Sequence, residues 1–403
     1  MSVLALTQII TDRELISWLT DHQGVAMTLP AFVDELCARL QRNGIQLLRV
    51  AGGMPTLHPQ HYVRAFVWTR GSGTLEAVRG YEIQNSSMYH DSPVALIHQG
   101  VAAIRRRLDV PNPQMDFLVL HEVKATGATD YLILPLRLTV GQASFIAWST
   151  DRPGGFSNSE LAMLHDIMPM IALRIEIIAT RQMNDDVLTT YLGGNAAQRV
   201  LSGTVRRGAG ENIRAAIWSS DLRGFTAMAD RMSVHDLITT LDDYFECMAV
   251  PVQEAGGEVL KFIGDGVLAI FPVSGSDDAE ACRRALDAAL LAFDRLHELN
   301  QGRAIGGIPN LRIGIGLHLG DVIYGNIGAP DRLDFTVIGA AVNEVVRTES
   351  MSKVLERPLI ATAAFAAAEP RKLLESLGVH ALRGKREPTE LFAMPLRKVA
   401  GYE

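Results

Sequence analysis

The first 155 residues combine helix-like and strand-like runs of apolar residues. A spacing of three to four residues predicts a helix from about Leu29 to Asn43 with one buried stripe. Short apolar runs predict strands at Val63–Thr69, Tyr131–Leu136 and Ala143–Ser149. The alternation of the two patterns indicates a mixed α/β domain.

A long helix is predicted to follow this domain. The turn sequence RPGG ends at Gly155, and Ser157 with Glu160 forms a capping box. Apolar residues then recur every three or four positions as far as Ile178, which predicts one buried stripe. Pro169 lies inside this stretch and is expected to kink the helix.

Residues 182–210 are predicted to form a helical linker. They include Gly193–Gly194, the helix-like sequence YLGGNAAQRVLSG and the basic pair Arg206–Arg207. Such a helix can transmit torque between two domains, or it can serve only as a spacer. The sequence favours neither interpretation.

Residues 211–398 alternate strand and helix patterns. Strands are expected at Ile213–Ser219, Glu258–Ile263, Val267–Phe271, Leu311–Leu319, Asp321–Tyr324 and Phe335–Ile338, and helices from Ser233 to Glu254, over Asp277–Asn300 and from Ala340. The order β-α-β-β-α-β is that of a ferredoxin-like core. The whole chain is therefore expected to be α/β (α+β).

Composition restricts the classes of function. The formal net charge is −7 over 403 residues, which argues against nucleic acid as a partner. Cys37, Cys247 and Cys282 have neither zinc-site nor disulfide spacing, which indicates a reducing compartment. Asp12 and Arg13 come too early for a signal peptide, and no apolar stretch is long enough for a membrane span. A cytoplasmic protein is expected.

Two acidic residues follow or join predicted strands. Asp221 comes after a buried strand in SSDLRGFT, and Asp265 lies at the tip of the hairpin Gly264–Asp265–Gly266. Alone, Asp221 fits a helix N-cap and Asp265 an ordinary turn residue. If the strands are neighbours, both carboxylates reach one sheet edge, where they suit Mg²⁺.

The segment after Asp221 turns from strand into helix. Gly224 permits close approach to the backbone, and the N–H groups of a helix start can bind phosphate. The candidate cradle comprises Leu222, Arg223, Gly224, Phe225 and Thr226.

Four motifs occur in order: SSDLRGFT, KFIGDGVLAIF, GDVIYGNIG and DFTVIGAAVNEVVRTES. Together they resemble the class III adenylyl/guanylyl cyclase catalytic domain over residues 211–398. The resemblance implies an adenylate cyclase that converts ATP to cyclic AMP and pyrophosphate with two Mg²⁺ ions, Mn²⁺ being an alternative. Asp221 and Asp265 resemble the metal-binding aspartates, with Leu222 lending a backbone carbonyl.

The same resemblance assigns the purine and ribose contacts. Lys261 stands where ATP-using cyclases carry a lysine facing the adenine, whereas guanylyl cyclases typically carry glutamate. Thr336 occupies the partner position, where many members have aspartate, so a guanylate or mixed-purine cyclase is the alternative. Asn343 resembles the residue that orients the ribose.

Two further positions concern the phosphates. Arg347, one helical turn after Asn343, resembles the arginine that stabilises transition-state charge. In LRGKREPTELF, Lys385 resembles the triphosphate-binding lysine of the family, and Arg386 is the alternative. A catalytically silent nucleotide-binding regulator is a further alternative, which the retention of Asp221, Asp265 and Arg347 disfavours.

Assembly also follows from the resemblance. Lys261 and Asp265 are four residues apart, yet in this family they serve opposite sites. The resemblance therefore predicts a C₂ homodimer in which one subunit supplies the metal pair and its partner supplies Lys261, Thr336, Asn343 and Arg347.

The first domain, residues 1–181, resembles the GAF sensor family over Asp130–Arg181 in YLILPL, GQASFIAWST and GGFSNSELAMLHDIMPMIALRIE. The resemblance implies regulation by an unidentified small-molecule effector. Six histidines of this domain lack metal-ligand spacing and are interpreted as scattered surface or core residues rather than as a haem or metal site: His22, His58, His61, His90, His98 and His121.

Overall fold

A computed structural model describes residues 13–21, 27–56, 58–139, 144–203 and 206–401. The chain divides into two compact units, Met1–Val187 and Leu188–Glu403. The division lies inside the segment that was expected to be a linker. His22 and Ala143, which entered the sequence predictions, lie outside the described residues.

The first unit is built on a six-stranded antiparallel sheet. Its strands are β1 Arg49–Pro55, β2 Val63–Thr69, β3 Gly73–Arg79, β4 Ile104–Arg107, β5 Asp130–Leu136 and β6 Ser144–Thr150. They are arranged in the order β3-β2-β1-β6-β5-β4. Its helices are α1 Leu29–Arg42, α2 Ser87–His90, α3 Pro93–His98, α4 Leu118–Ala125 and α5 Asn158–Leu192, with a 3₁₀ turn at Tyr81–Asn85.

Alternation along the strands gives this sheet two apolar faces. Leu132 and Leu134 of β5 join a core with α1 and α5, whereas Ile133 joins a separate core with α3 and α4. The predicted α/β organisation is therefore confirmed for this unit.

The boundaries of several predicted elements are confirmed. Asn43 caps α1, and β2 spans the predicted residues. In the capping box, the Ser157 N–H donates to Glu160 Oε2 at 2.7 Å, and the Glu160 N–H donates to Ser157 Oγ at 3.3 Å. Helix α5 continues past Pro169 to Leu192.

The second unit contains an eight-stranded sheet. Its strands are β7 Gly210–Leu222, β8 Glu258–Ile263, β9 Gly266–Pro272, β10 Ile313–Ala329, β11 Arg332–Ile338, β12 Leu359–Thr362, β13 Glu375–His380 and β14 Thr389–Ala393. The order is β13-β14-β12-β10-β7-β9-β8, and β11 pairs with β10. The central antiparallel run β10-β7-β9-β8 has the strand order of a ferredoxin-like core.

Helices cover both faces of this sheet. They are α6 Gly194–Leu201, α7 Phe225–Ala229, α8 Val234–Glu254, α9 Asp278–Ile305, α10 Ala340–Val354 and α11 Ala363–Ala368, followed by a 3₁₀ turn at Leu396–Lys398. Helices α8 and α9 pack in the core that contains Trp218, whereas α6 and α10 pack in the core that contains Ile217.

Two features of this unit differ from the sequence predictions. Ala196 and Ala197 of α6 are fully buried, so this part of the expected linker packs into the second unit. Two strands were expected around Gly320, but β10 is continuous. A Cβ at Gly320 would lie 2.7 Å from Ala341 Cβ, so glycine permits the approach of α10 rather than a turn.

All three cysteines lie in the described part of the chain. Cys37, Cys247 and Cys282 are free and buried, and burial raises the pKa of each thiol. Among the described residues, no helix has the length and apolar character that crossing a membrane requires.

Candidate active site

Strand pairing brings the two candidate metal-binding aspartates together. Asp221, near the end of β7, is in register with Gly266, the first residue of β9. Asp265 therefore lies beside Asp221. Burial, and after it the neighbouring Asp265 carboxyl group, raises the pKa of Asp221 to about 6.

The tip of the β8–β9 hairpin fixes the position of Asp265. Gly264 has a φ of 61°, in the left-handed region that favours glycine. Gly264 and Asp265 form the two-residue turn, which lets β8 and β9 pair immediately on either side. This turn therefore places Asp265 next to the end of β7.

The donor atoms of this pair fit a hard divalent cation. Two carboxyl groups in contact repel each other when both are ionised, and a cation between them removes that cost. In the described part of the chain, no group of three or more His, Cys, Asp or Glu side chains is placed to hold a metal. The remaining ligands would therefore come from backbone, water or substrate oxygen atoms.

The turn after β7 contains the candidate phosphate cradle. Gly224 has a φ of 75° and caps the short helix α7. Nothing lies within 4 Å of a Cβ built at Gly224, so the backbone there is open to approach. The structure thus places the turn next to Asp221, as the sequence pattern predicts.

Arg223 of this turn has an intramolecular partner. Its Nη2 lies 3.2 Å from Oε1 of Glu349, a buried residue of α10. Gly314 of β10 makes room for the pair, because a Cβ there would lie 1.9 Å from Arg223 Nη2. Arg223 therefore contacts α10 in the free chain, although it was expected to contact substrate.

Sequence analysis did not identify Glu349. Burial raises its pKa to about 7, with a further contribution from the charge of Asp221, while the Arg223 charge acts in the opposite direction. A signal was present, since Glu349 is the acidic residue of VVRTES and follows Arg347 by two positions. Only the fold shows that it points at the turn after Asp221.

The candidate purine residues lie on β8 and β11. Lys261 Nζ donates to Asp334 Oδ2 at 2.9 Å. Thr336 is buried and pairs with Gly325 of β10. Asp334 was also missed, although it lies two residues before Thr336 and therefore on the same face of β11.

The candidate ribose and phosphate residues share one face of α10. Asn343 is exposed and Arg347 is half-buried, one helical turn apart. Gly384 approaches Arg347, with 3.4 Å between an ideal Cβ at Gly384 and Arg347 Nη2. Lys385 Nζ donates to Glu344 Oε1 at 2.7 Å, so the loop around Lys385 covers this face of the helix.

Arg347 and Glu349 point to different sides of α10. Residues two positions apart in an α-helix are separated by about 200° around the helix axis. Because Glu349 contacts Arg223 in the turn after Asp221, the face that carries Arg347 is directed away from the aspartate pair of the same chain. The structure therefore does not bring Arg347 to Asp221 and Asp265 within one chain.

Part of the second unit is similar to a known catalytic domain. Residues 211–393 match the family model described as the Adenylate and Guanylate cyclase catalytic domain. This part of the second unit is thus similar to a catalytic domain of that type.

Individual relatives come from several bacteria. The chain is 38% identical to the adenylate cyclase of Anabaena cylindrica over 36% of this chain and 29% of that protein. It is 32% identical to adenylate cyclase 1 of Rhizobium meliloti over 37% of this chain and 22% of that protein. The chain thus matches less than a third of the length of these two curated relatives.

The chain is also similar to a solved structure. The adenylyl cyclase CyaB from P. aeruginosa is 24% identical, and the match covers 46% of this chain and 96% of that one with a TM-score of 0.43.

Proposed function

We propose that this protein is an adenylate cyclase that converts ATP to cyclic AMP and pyrophosphate. The observation that carries the proposal is the proximity of Asp221 and Asp265, which strand register creates where β7 ends and β9 begins. It occurs inside a segment that matches the cyclase family model. The chain is also similar to the two curated adenylate cyclases described above, at 38% and 32% identity.

The aspartate pair would hold the catalytic cations. Asp221, Asp265 and the backbone carbonyl of Leu222 supply the protein ligands in this proposal. Two bound Mg²⁺ ions, or Mn²⁺ ions, supply charge neutralisation of the triphosphate and activation of the ribose 3′-hydroxyl. The turn from Arg223 to Thr226 places its open backbone beside the phosphates.

Side chains on α10 and in the following loop would position the substrate. Asn343 orients the ribose so that its 3′-oxygen faces the α-phosphate, which is a positioning effect. Arg347 stabilises the charge that develops on the phosphate as pyrophosphate leaves. Lys385 exchanges its contact with Glu344 for the triphosphate, while Lys261 and Thr336 contact the purine edge.

We further propose that each site is shared between two copies of the chain. The support is the geometry of α10, which directs Arg347 away from the aspartate pair of its own chain. A C₂ homodimer gives two equivalent sites, because each copy contributes the same groups to the site of the other copy. A single copy is then close to inactive.

The first unit would regulate the second. Its two-faced antiparallel sheet and its helix α5 are consistent with a GAF-like sensor domain, which would bind a small-molecule effector. Removing residues 1–180 should change the specific activity or its response to an effector. Equal behaviour of the shortened and full-length proteins would remove the regulatory role.

The direct test uses the purified full-length protein with ATP and Mg²⁺. We expect cyclic AMP and pyrophosphate in equal amounts, and neither product from Asp221→Asn, which keeps the size of the side chain but removes its charge. Product formation from GTP at a comparable rate would favour the mixed-purine alternative. Tight ATP binding without product would favour a silent regulator.

A further inference from the structure

A carboxylate lies at the purine-binding lysine. Lys261 Nζ is 2.9 Å from Asp334 Oδ2, and the two side chains are 31% and 57% exposed. An ion pair this exposed contributes little to stability. Its main effect is to hold a long, flexible side chain in one orientation, since a lysine has many accessible rotamers.

The backbone is shaped to create this contact. Strand β8 contains an irregularity at Leu260, because Val259 pairs with Ala269 and Lys261 with Leu268 of β9. Such bulges redirect the side chain that follows them and are common next to active sites. Here the side chain that follows the bulge is Lys261.

Apolar packing supports the polar pair. Leu260 precedes Lys261, and Phe335 follows Asp334. Leu260 and Phe335 are both buried in the same core cluster of the second unit. Each polar residue is therefore anchored by an adjacent buried residue, which fixes the relative placement of β8 and β11 at this point.

The two purines differ at the atoms that this pair would face. Adenine carries an amino group at position 6, which donates, whereas guanine carries an oxygen there, which accepts. A lysine can donate to adenine N1, and a carboxylate can accept from the adenine 6-amino group. The same carboxylate repels the guanine 6-oxygen, because two acceptors face each other.

We propose that Asp334 is a specificity-determining residue of the purine subsite, and this rests on the proposed cyclase function. Asp334 orients Lys261 and disfavours a purine with oxygen at position 6. Asp334 lies on the same face of β11 as Thr336. The carboxylate therefore stands two residues before Thr336, the position where the residue that pairs with Lys261 was expected.

The test measures kcat/KM for ATP and for GTP with Asp334→Asn and Asp334→Ala in the full-length protein. We expect the ATP-to-GTP ratio to fall roughly 10- to 100-fold, the range for losing a hydrogen bond to a charged group. Asp331→Asn is the matched control, because Asp331 is an exposed acid in the turn between β10 and β11. Its ratio should stay within about twofold of the parent, as for most surface changes.

A second variant guards against a simple folding defect. The double change Asp334→Asn with Thr336→Asp moves the carboxylate two positions along the same strand face, and it should restore much of the ATP preference. A ratio that stays within about twofold of the parent in both single variants would overturn the proposal. A loss of activity that is equal for ATP and GTP would also overturn it.

Failure of the cyclase function would be visible separately. If the parent protein forms no cyclic nucleotide, competition binding of ATP against GTP in the presence of Ca²⁺ measures the purine preference without turnover. Asp334→Asn should then lower the affinity ratio, and an unchanged ratio would again contradict the role of Asp334.

Discussion

Arg223 and Glu349 form an ion pair between the turn that follows Asp221 and the helix that carries Arg347. The Nη2 to Oε1 distance is 3.2 Å, and the side chains are 20% and 8% exposed. Ser352 Oγ adds a hydrogen bond to the same carboxylate at 3.3 Å. The pair therefore connects the two polar parts of the site within each chain.

Removing Arg223 should destabilise the second unit. Arg223→Ala leaves the buried Glu349 without its positive partner, and we expect a loss of about 1–3 kcal/mol in the free energy of unfolding. The double variant Arg223→Ala with Glu349→Gln should recover most of this loss, because no unpaired charge remains. Urea unfolding of the full-length proteins measures both, and Arg231→Ala, at an exposed position, is the control.

Metal affinity should depend on the protonation of Asp221. Its pKa is raised to about 6, so below this pH a cation must displace a proton. We expect the apparent Mg²⁺ or Mn²⁺ affinity to fall about tenfold per pH unit below 6 and to level off above it. Calorimetric titration between pH 5 and 8 tests this, and a flat profile would contradict it.

The raised pKa of Asp221 should also affect the stability of the metal-free protein. An acid with a raised pKa binds more protons when folded, so its contribution to stability decreases as pH rises from about 4 to about 6. Asp221→Asn removes this contribution. In EDTA, the melting temperature of the parent should therefore fall relative to that of Asp221→Asn as the pH rises from about 4 to about 6.

Asp265→Asn should separate activity from stability. The change removes a proposed metal ligand, and we expect a loss of kcat of about a thousandfold or more. In EDTA it also removes the repulsion of Asp221, so the melting temperature should equal or exceed that of the parent. Asp294→Asn, an exposed acid on α9, should alter neither quantity. A clearly lower melting temperature for Asp265→Asn would argue against the repulsion.

Mixing two inactive variants tests the shared site. Asp265→Ala and Arg347→Ala are each expected to be inactive alone. In a randomly exchanged mixture, half of the dimers contain both chains and one of their two sites is intact, which gives about a quarter of the parent activity. Native mass spectrometry confirms that mixed dimers form. Mixed dimers without activity would exclude the shared arrangement.

Gly316 should be required for the placement of α10. An added Cβ would lie 2.6 Å from the Glu349 backbone nitrogen and 2.8 Å from the Val345 carbonyl oxygen. Gly316→Ala must therefore displace the helix, and we expect a loss of stability of about 1–3 kcal/mol together with a lower kcat. Gly302→Ala, in α9 with nothing within 4 Å, should be neutral or stabilising by up to about 1 kcal/mol.

Elements with clear local signals were predictable from the sequence. Helix α8 begins after its Ser233 cap and ends at Glu254, and β8 has the predicted bounds. In both elements, the spacing of the apolar residues and the residues that mark the two ends lie within one short sequence segment. The ferredoxin-like order and the approach of Asp221 to Asp265 followed from the succession of such elements.

Interactions between residues that are distant in the sequence were not predictable. Gly320 suggested a strand end, but its role depends on α10, which contacts β10 only in the folded chain. The ion-pair partners of Lys261 and Arg223 lie on other elements of the fold, and the hydrophobic periodicity of a sequence segment does not indicate such pairs. The sequence motifs therefore named most candidate residues, while the fold was needed to find Asp334 and Glu349.

The orientation of α10 has a further consequence for the behaviour of the protein in a cell. If a working site requires groups from two copies, the rate per molecule rises with the total amount of protein until association is complete. Dilution then silences the protein without any ligand. The expression level of the protein then controls its activity by itself.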